Sequence, residues 1–225
     1  MFVERAGQIS NFQKEKYFNV ELDCDGIPAV KSKIFDPDEA EQLRSRCQGS
    51  EAIVTAVKEA EKKVKAPKLY DLTTLQREAN RIYGMTAKQT LDTAQSLYEK
   101  KLITYPRTDS QYLTEDMEQT ARNVVRQIYE KYQLTGPFDQ PEQPDVKKVM
   151  NNSKVTDHHA IIPTMELTSC HMDELKSWEE KILFLIAVHT VMAMSKDHIY
   201  QETEIEVECQ GEVFKTKGKT VLQDG

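Results

Sequence analysis

The chain has 225 residues, 39% hydrophobic and 30% charged, with a formal net charge of −7. That balance excludes a disordered chain, and the length suits one large domain or two smaller ones with a proper core. No apolar run reaches the roughly 18 residues of a membrane span; the best, from Ile182 to Met194, is too short and carries His189.

Glu4 and Arg5 interrupt the opening segment, so no secretory leader is expected. Cys24, Cys47, Cys170 and Cys209 are scattered and form no C-x-x-C pair. Reduced thiols in a cytoplasm are the simpler expectation. An acidic total argues against nucleic-acid binding, but charge is segregated. Between Arg77 and Arg107 the basic residues are Arg77, Arg81, Lys88, Lys100, Lys101 and Arg107, against the acids Glu78, Asp92 and Glu99. The acid excess lies elsewhere, for example in Glu202, Glu204, Glu206 and Glu208.

In chain order, Phe18, Val20, Leu22 and Cys24 alternate with polar residues, the period of a half-buried strand. Asp25-Gly26 is a favoured hairpin turn, and a second strand is expected from Ala29 to Ile34. Asp36-Pro37-Asp38-Glu39 opens a short helix: Asp36 caps, Pro37 takes the first helical position, and Glu39 has capping-box spacing. Residues 51–65 suit helix or strand equally, and their Lys-rich end with Pro67 marks a boundary.

The middle reads as helical. Thr73 with Gln76 and Thr86 with Gln89 have capping-box spacing. Leu75, Ala79 and Ile82 stripe the first helix, which Gly84 ends; Leu91, Ala94 and Tyr98 stripe the second. The pair makes a helix-turn-helix-like unit. A third helix is expected from after Thr114 to about Tyr132, then a loop over 133–145 with Pro137, Pro141 and Pro144. A long apolar helix should start at Asp173 or Glu174 and run through Leu175, Trp178, Ile182, Leu185, Ile186 and Val191. Strand alternation returns at Thr203, Ile205, Val207 and Cys209; Gln210-Gly211 turns, and Val213 with Phe214 begins a partner strand. The fold class is therefore α+β: a β-rich domain in two parts, 1–66 and 196–225, around an inserted mainly helical domain, 67–195.

After the second helix comes Leu102-Ile103-Thr104-Tyr105-Pro106-Arg107-Thr108-Asp109-Ser110. A phenol, with a pKa of about 10, is a poor nucleophile unless a cation favours the phenolate. Arg107 is such a cation, and a guanidinium grips phosphate through two parallel hydrogen bonds. Pro106 disfavours helix at Tyr105, and in extended backbone residues 105 and 107 share a side. One short segment would then hold a phosphodiester and attack it. By itself, a tyrosine beside an arginine is usually a packed ring with a solvated charge.

The longer stretch through Gln111, Tyr112 and Leu113, with Thr93 to Lys100 ahead of it, resembles type IA DNA topoisomerases, most of all the bacterial topoisomerase III group. Leu72 to Gln76 resembles the segment that opens the helices before that family's tyrosine. Asp157-His158-His159-Ala160-Ile161-Ile162-Pro163-Thr164 resembles its second signature. Val3-Glu4-Arg5, Ile9 to Phe12, and Val221 to Gly225 also match, so the likeness covers essentially the whole chain.

The resemblance implies that Tyr105 is the nucleophile, that Arg107 holds the scissile phosphate, and that His158 approaches the bound strand. Thr108, Asp109, Ser110 and Lys101 are counted as further DNA contacts. It implies single-stranded DNA as partner, a 5′-phosphotyrosyl intermediate and relaxation or decatenation without ATP. It also implies the arch of a torus for the β domain, a monomer, and a nucleoid-associated place in the cytoplasm. No residue identifies a helicase partner. The family's Mg2+ is held by a Toprim domain not recognised here, and no metal ligand is expected in this chain. Asp36-x-Asp38 is explained by helix capping. The chain thus looks like a central piece, inactive alone. Two rivals stay open. One is another phosphotyrosine enzyme such as a tyrosine recombinase, which needs a second arginine near the histidine. The other is a helix-turn-helix DNA-binding module reading bases with Lys88, Gln89, Asp92 and Gln95.

Overall fold

A computed structural model describes residues 2–134 and 144–225; most of the loop expected over 133–145 lies outside them. The chain divides into two compact units, Met1–Lys62 with Tyr200–Val221, and Lys63–Ile199 with Leu222–Gly225. Among the described residues no helix is long and apolar enough to cross a membrane.

The first unit holds helices α1 (Phe2–Ser10) and α2 (Pro37–Cys47), and strands β1 (Phe18–Cys24) and β2 (Ile27–Ile34). It also holds most of β3 (Ile53–Val64), β4 (His198–Cys209) and β5 (Glu212–Gln223), which make one sheet in the order β1-β2-β5-β4-β3. Two turns set its register. Asp25 and Gly26 have φ of 54° and 88°, and Gln210 and Gly211 have 54° and 79°. Both central residues are left-handed in each, the turn that matches strand twist in a two-residue hairpin. Cys24 therefore faces Ile27, and β1 runs antiparallel to β2.

One sheet face buries Val20, Ala29, Ile34, Val207, Cys209 and Phe214 against Ala40, Leu43 and Cys47 of α2. Asp36 caps α2 by accepting from the Asp38 N–H at 2.9 Å; the bond expected through Glu39 is not made. Residues 53–64 are strand, not helix. They form the sheet edge, where Lys58 pairs with Glu206. Lysines on an edge strand discourage a further strand from adding there, which explains a lysine content that also suited a helix. The β4 glutamates face lysines: Lys215 reaches Glu204 and Glu206, and Lys217 reaches Glu204. Helix α1 was not foreseen; Val3 and Ile9 on it are exposed, so no burial stripe announces it.

The second unit contains α3 (Leu72–Tyr83), α4 (Ala87–Glu99), α5 (Glu118–Tyr132) and α6 (Ser177–Ala193), all between β3 and β4 in the chain. The fold class is α+β with an antiparallel sheet, as read. The Thr86–Gln89 capping box forms in full. For α3 the cap is Asp71 paired with Thr74, two residues before the expected Thr73. Gly84, at φ 69°, ends α3 in the left-handed conformation that glycine adopts freely. The long helix α6 begins at Ser177, after a 3-10 turn over Met172–Glu174. Its start is held by Glu179, whose carboxylate accepts from the Lys176 N–H at 2.8 Å.

Three apolar assignments change. Ile82, Tyr98 and Trp178 are exposed, whereas Leu97 is buried completely. The core is built from Leu75, Ala79, Ala94 and Leu97 against Ile182, Ile186 and Val191.

Candidate functional site: a tyrosine–histidine hollow

Leucine 102 is pinned after α4 by its N–H to Leu97 O at 2.9 Å, with Lys101 at φ 61° making the turn. From there the chain lies against residues 158–164. Ile103 bridges Pro163, the Thr104 N–H bonds Ile162 O at 3.0 Å, and the Thr164 N–H bonds Leu102 O at 3.0 Å. The Thr104 hydroxyl donates to Ala160 O at 2.9 Å and accepts from the Ile162 N–H at 3.0 Å. The Thr164 hydroxyl donates to Lys101 O.

Further along, Thr108 donates to His158 O at 3.0 Å, and the Thr108 carbonyl accepts from the Leu72 N–H at 3.1 Å. Serine 110 donates to Lys154 O at 2.9 Å, and the Ala160 N–H bonds Tyr112 O at 2.9 Å. Two segments some 50 residues apart in sequence are thus laced together on both sides of Tyr105. Thr104→Val keeps the shape and removes both hydroxyl bonds. We expect a loss of about 2 kcal/mol, because a buried N–H and a carbonyl lose their partner; urea unfolding measures it, and an unchanged midpoint would contradict this lacing.

The half-buried Tyr105 ring meets His158 at a centroid distance of 4.4 Å and Tyr98, edge-on, at 5.3 Å. An open hollow of about 470 Å³ lies beside it, walled by Tyr98, Lys101, Thr104, Tyr105, His159 and Thr164, among others. His159 donates from Nδ1 to Ala160 O at 2.9 Å, since a carbonyl only accepts. Its Nε2 is therefore the acceptor when the ring is neutral.

Among the predicted residues, the structure brings Tyr105, His158 and Lys101 to this place. Arg107 and Asp109 are exposed, have no hydrogen-bond or ion-pair partner among the described residues, and do not wall the hollow. Thr108 and Ser110 are 7% and 5% exposed with their hydroxyls committed to backbone carbonyls. In this structure both hydroxyls brace the segment against residues 154–158. Tyr98 and Thr164 were missed as neighbours of Tyr105. The spacing of Tyr98 suits the core stripe of α4, and only its exposure reveals it.

Among the described residues no group of three or more His, Cys, Asp or Glu is gathered to hold a metal ion. Asp36 is occupied as the cap of α2.

Residues 1–225 match the family model described as DNA topoisomerase. A relative called DNA topoisomerase 3 from Bacillus subtilis (strain 168) is 35% identical over 235 residues, covering 100% of this chain and 32% of the relative. A DNA topoisomerase 3 from Staphylococcus epidermidis is 35% identical over 219 residues, 95% of this chain and 30% of that one. The chain therefore spans about a third of the length of these curated relatives. The solved structure of full-length topoisomerase I from Thermotoga maritima superposes with a TM-score of 0.69 at 26% identity, covering 97% of this chain and 36% of that one.

Proposed function

The chain belongs to the type IA DNA topoisomerase family, and on that premise we propose that Tyr105 is the nucleophile that opens and reseals one DNA strand. The observation that carries this is the half-buried Tyr105 phenol beside His158, on a segment laced to the backbone of residues 158–164. Held ring geometry is what an in-line attack requires, since a group fixed near its target avoids the entropy of finding it.

In this reading the Tyr105 oxygen loses its proton and bonds to phosphorus. The bond from phosphorus to the 3′ oxygen breaks, and that oxygen leaves as a hydroxyl. The 5′ end stays on the protein as a phosphotyrosyl ester. Attack by the 3′ hydroxyl reverses the exchange with no outside energy, because one ester replaces another. Arg107, exposed and unpaired among the described residues, holds two phosphate oxygens. His158 bonds the phosphate beside the phenol, and Lys101 supplies positive charge at the rim. Strand passage, with relaxation or decatenation, belongs in this reading to a chain of the relatives' full length, of which these residues make up about a third. This chain alone binds a strand without relaxing DNA.

The test of polarity uses that longer chain, single-stranded DNA labelled at one end, and a denaturing quench. Label on the 3′ end should travel with the protein; adduct carrying only the 5′ label would overturn the reading. For the 225-residue chain we expect weak, salt-sensitive strand binding, with a dissociation constant of roughly 10⁻⁴ to 10⁻⁶ M. Fluorescence anisotropy at two salt concentrations measures it, and salt-independent binding would contradict phosphate contacts.

A further inference from the structure

A larger recess, about 740 Å³, lies between α3 and α6, away from the Tyr105 hollow. At its floor the rings of Tyr70 and His189 stack at 3.7 Å and 11°. His189 is fixed by donating from Nε2 to Lys68 O at 2.7 Å. Tyr83 and Phe184 stand in its walls, and Ile82, Phe184 and Met192 are exposed there. Such large apolar side chains do not ordinarily gather on a solvent surface without a reason.

The charges say what fits. Lys68, Arg77 and Arg81 line the recess, and the one acid among its walls, Glu78, is already paired with Arg81. Lys181 stands near the rim, 5.9 Å from the centre of the Tyr83 ring and 4.4 Å from that of Trp178. Lys68, Arg77 and Lys181 form no ion pair among the described residues. A protein helix would want apolar walls without uncompensated cations. Aromatic faces interleaved with unpaired cations suit unstacked bases on a phosphate backbone. Duplex DNA is a poorer fit, because its bases present no free faces.

The recess also has a link to the first site. Lys68 lies 5.6 Å from the centre of the Tyr112 ring, and Lys154 lies 4.9 Å from it. Gln111 is itself a wall of the recess. Tyr112 stands on the same laced segment as Tyr105.

We propose that the α3–α6 recess is a second site for single-stranded DNA. Bases stack on Tyr83 and Phe184, phosphates pair with Lys68, Arg77 and Lys181, and the strand continues past Tyr112 and Lys154 towards Tyr105. The recess stands on its own geometry; the continuity rests on the reading of Tyr105 given above.

The test uses the 225-residue chain and oligothymidine carrying a single 5-iodouracil, irradiated and mapped by peptide mass spectrometry. Two groups of cross-links are expected, one at Tyr83 or Phe184 and one at Tyr98, Tyr105 or His158. The exposed pair Arg77→Glu with Lys181→Glu should weaken binding of a long oligothymidine roughly tenfold and abolish only the first group. Phe184→Ala, with melting curves for all variants, separates a binding loss from a folding loss. Cross-links confined to the Tyr98–His158 group, or unchanged affinity in the charge-reversed variant, would overturn the second site and leave Tyr105 untouched. Cross-links confined to the recess would overturn the continuity and count against the Tyr105 reading. Absence of any strand binding would overturn both. If the charge reversal instead disrupts self-association in sedimentation, the recess is an interface between copies and the proposal fails.

Discussion

In a chain extended to the relatives' full length, Tyr105→Phe should abolish the covalent DNA adduct while strand affinity stays nearly unchanged. The substitution removes one oxygen and keeps the ring that packs between Tyr98 and His158. Transesterification needs an oxygen that attacks and later leaves. A phenolate does both; the alkoxides of Thr104, Thr108 and Ser110 leave poorly, and the structure commits all three hydroxyls to backbone carbonyls. Arg107→Ala should slow cleavage about a hundredfold or more, the scale of losing one donor to developing charge, about 3 kcal/mol. Because Arg107 is exposed and has no partner among the described residues, the loss should appear in rate and not in folding. Arg107→Lys should recover only part, since a point charge does not reproduce a two-bond grip. Single-turnover cleavage followed on a denaturing gel measures these rates. An Arg107→Ala enzyme with an unchanged rate would remove Arg107 from the mechanism.

The largest stability effect is expected at Glu179. Its side chain is nearly buried and accepts from Ser96 Oγ at 2.6 Å, Lys100 Nζ at 2.7 Å and the Lys176 N–H at 2.8 Å. It thereby ties the start of α6 to the end of α4, just ahead of Lys101 and the Tyr105 segment. Burial pushes this carboxyl up, but the bonds from Lys100, Ser96 and Lys176 outweigh it and hold it at about 2, against an ordinary 4.5. Its folded value is the lower one, so its contribution is complete above about pH 5 and is lost as pH falls from about 4.5 towards 2. A depression of that size corresponds to about 3 kcal/mol. Glu179→Ala should cost a similar amount at neutral pH, about 3 kcal/mol, near the low end for breaking a buried pair because Lys100 can return to water. Urea unfolding at several pH values measures both. If wild type and Glu179→Gln lose stability equally across that acid range, the ion pair is not what holds α6 to α4.

Local chemistry made much of this legible. The hairpin turns at Asp25-Gly26 and Gln210-Gly211, the Asp36 and Thr86 caps and the Gly84 stop depend on residues a few positions apart, and all form. The cap of α3 moved to Asp71 because Asp71 and Thr74 satisfy each other's N–H groups, a bond that the Thr73 and Gln76 spacing disguised. Residues 53–64 were ambiguous because an edge strand carries lysines for reasons unconnected with period. Tyr98 and Ile82 misled for another reason. A helical stripe shows which residues share a face, but not that the face ends at a hollow or a recess, as it does at both. The Tyr105 segment stood out because its chemistry is compressed into nine residues. Its lacing to residues 158–164 crosses about 50 positions with no spacing rule, and neither charge nor period foretells that Thr108 and Ser110 turn inward.

The most direct test of the central claim is the identity of the residue joined to DNA. The longer chain would be incubated with single-stranded DNA, quenched with denaturant, digested with nuclease and trypsin, and the nucleotide-bearing peptide sequenced by mass spectrometry. Cleavage after Lys101 and Arg107 leaves Leu102 to Arg107, which contains one tyrosine. The nucleotide should sit on Tyr105 in that peptide. A nucleotide on Tyr98 or Tyr112, the two neighbouring phenols, or on the hydroxyl of Thr104, would show that Tyr105 is not the nucleophile.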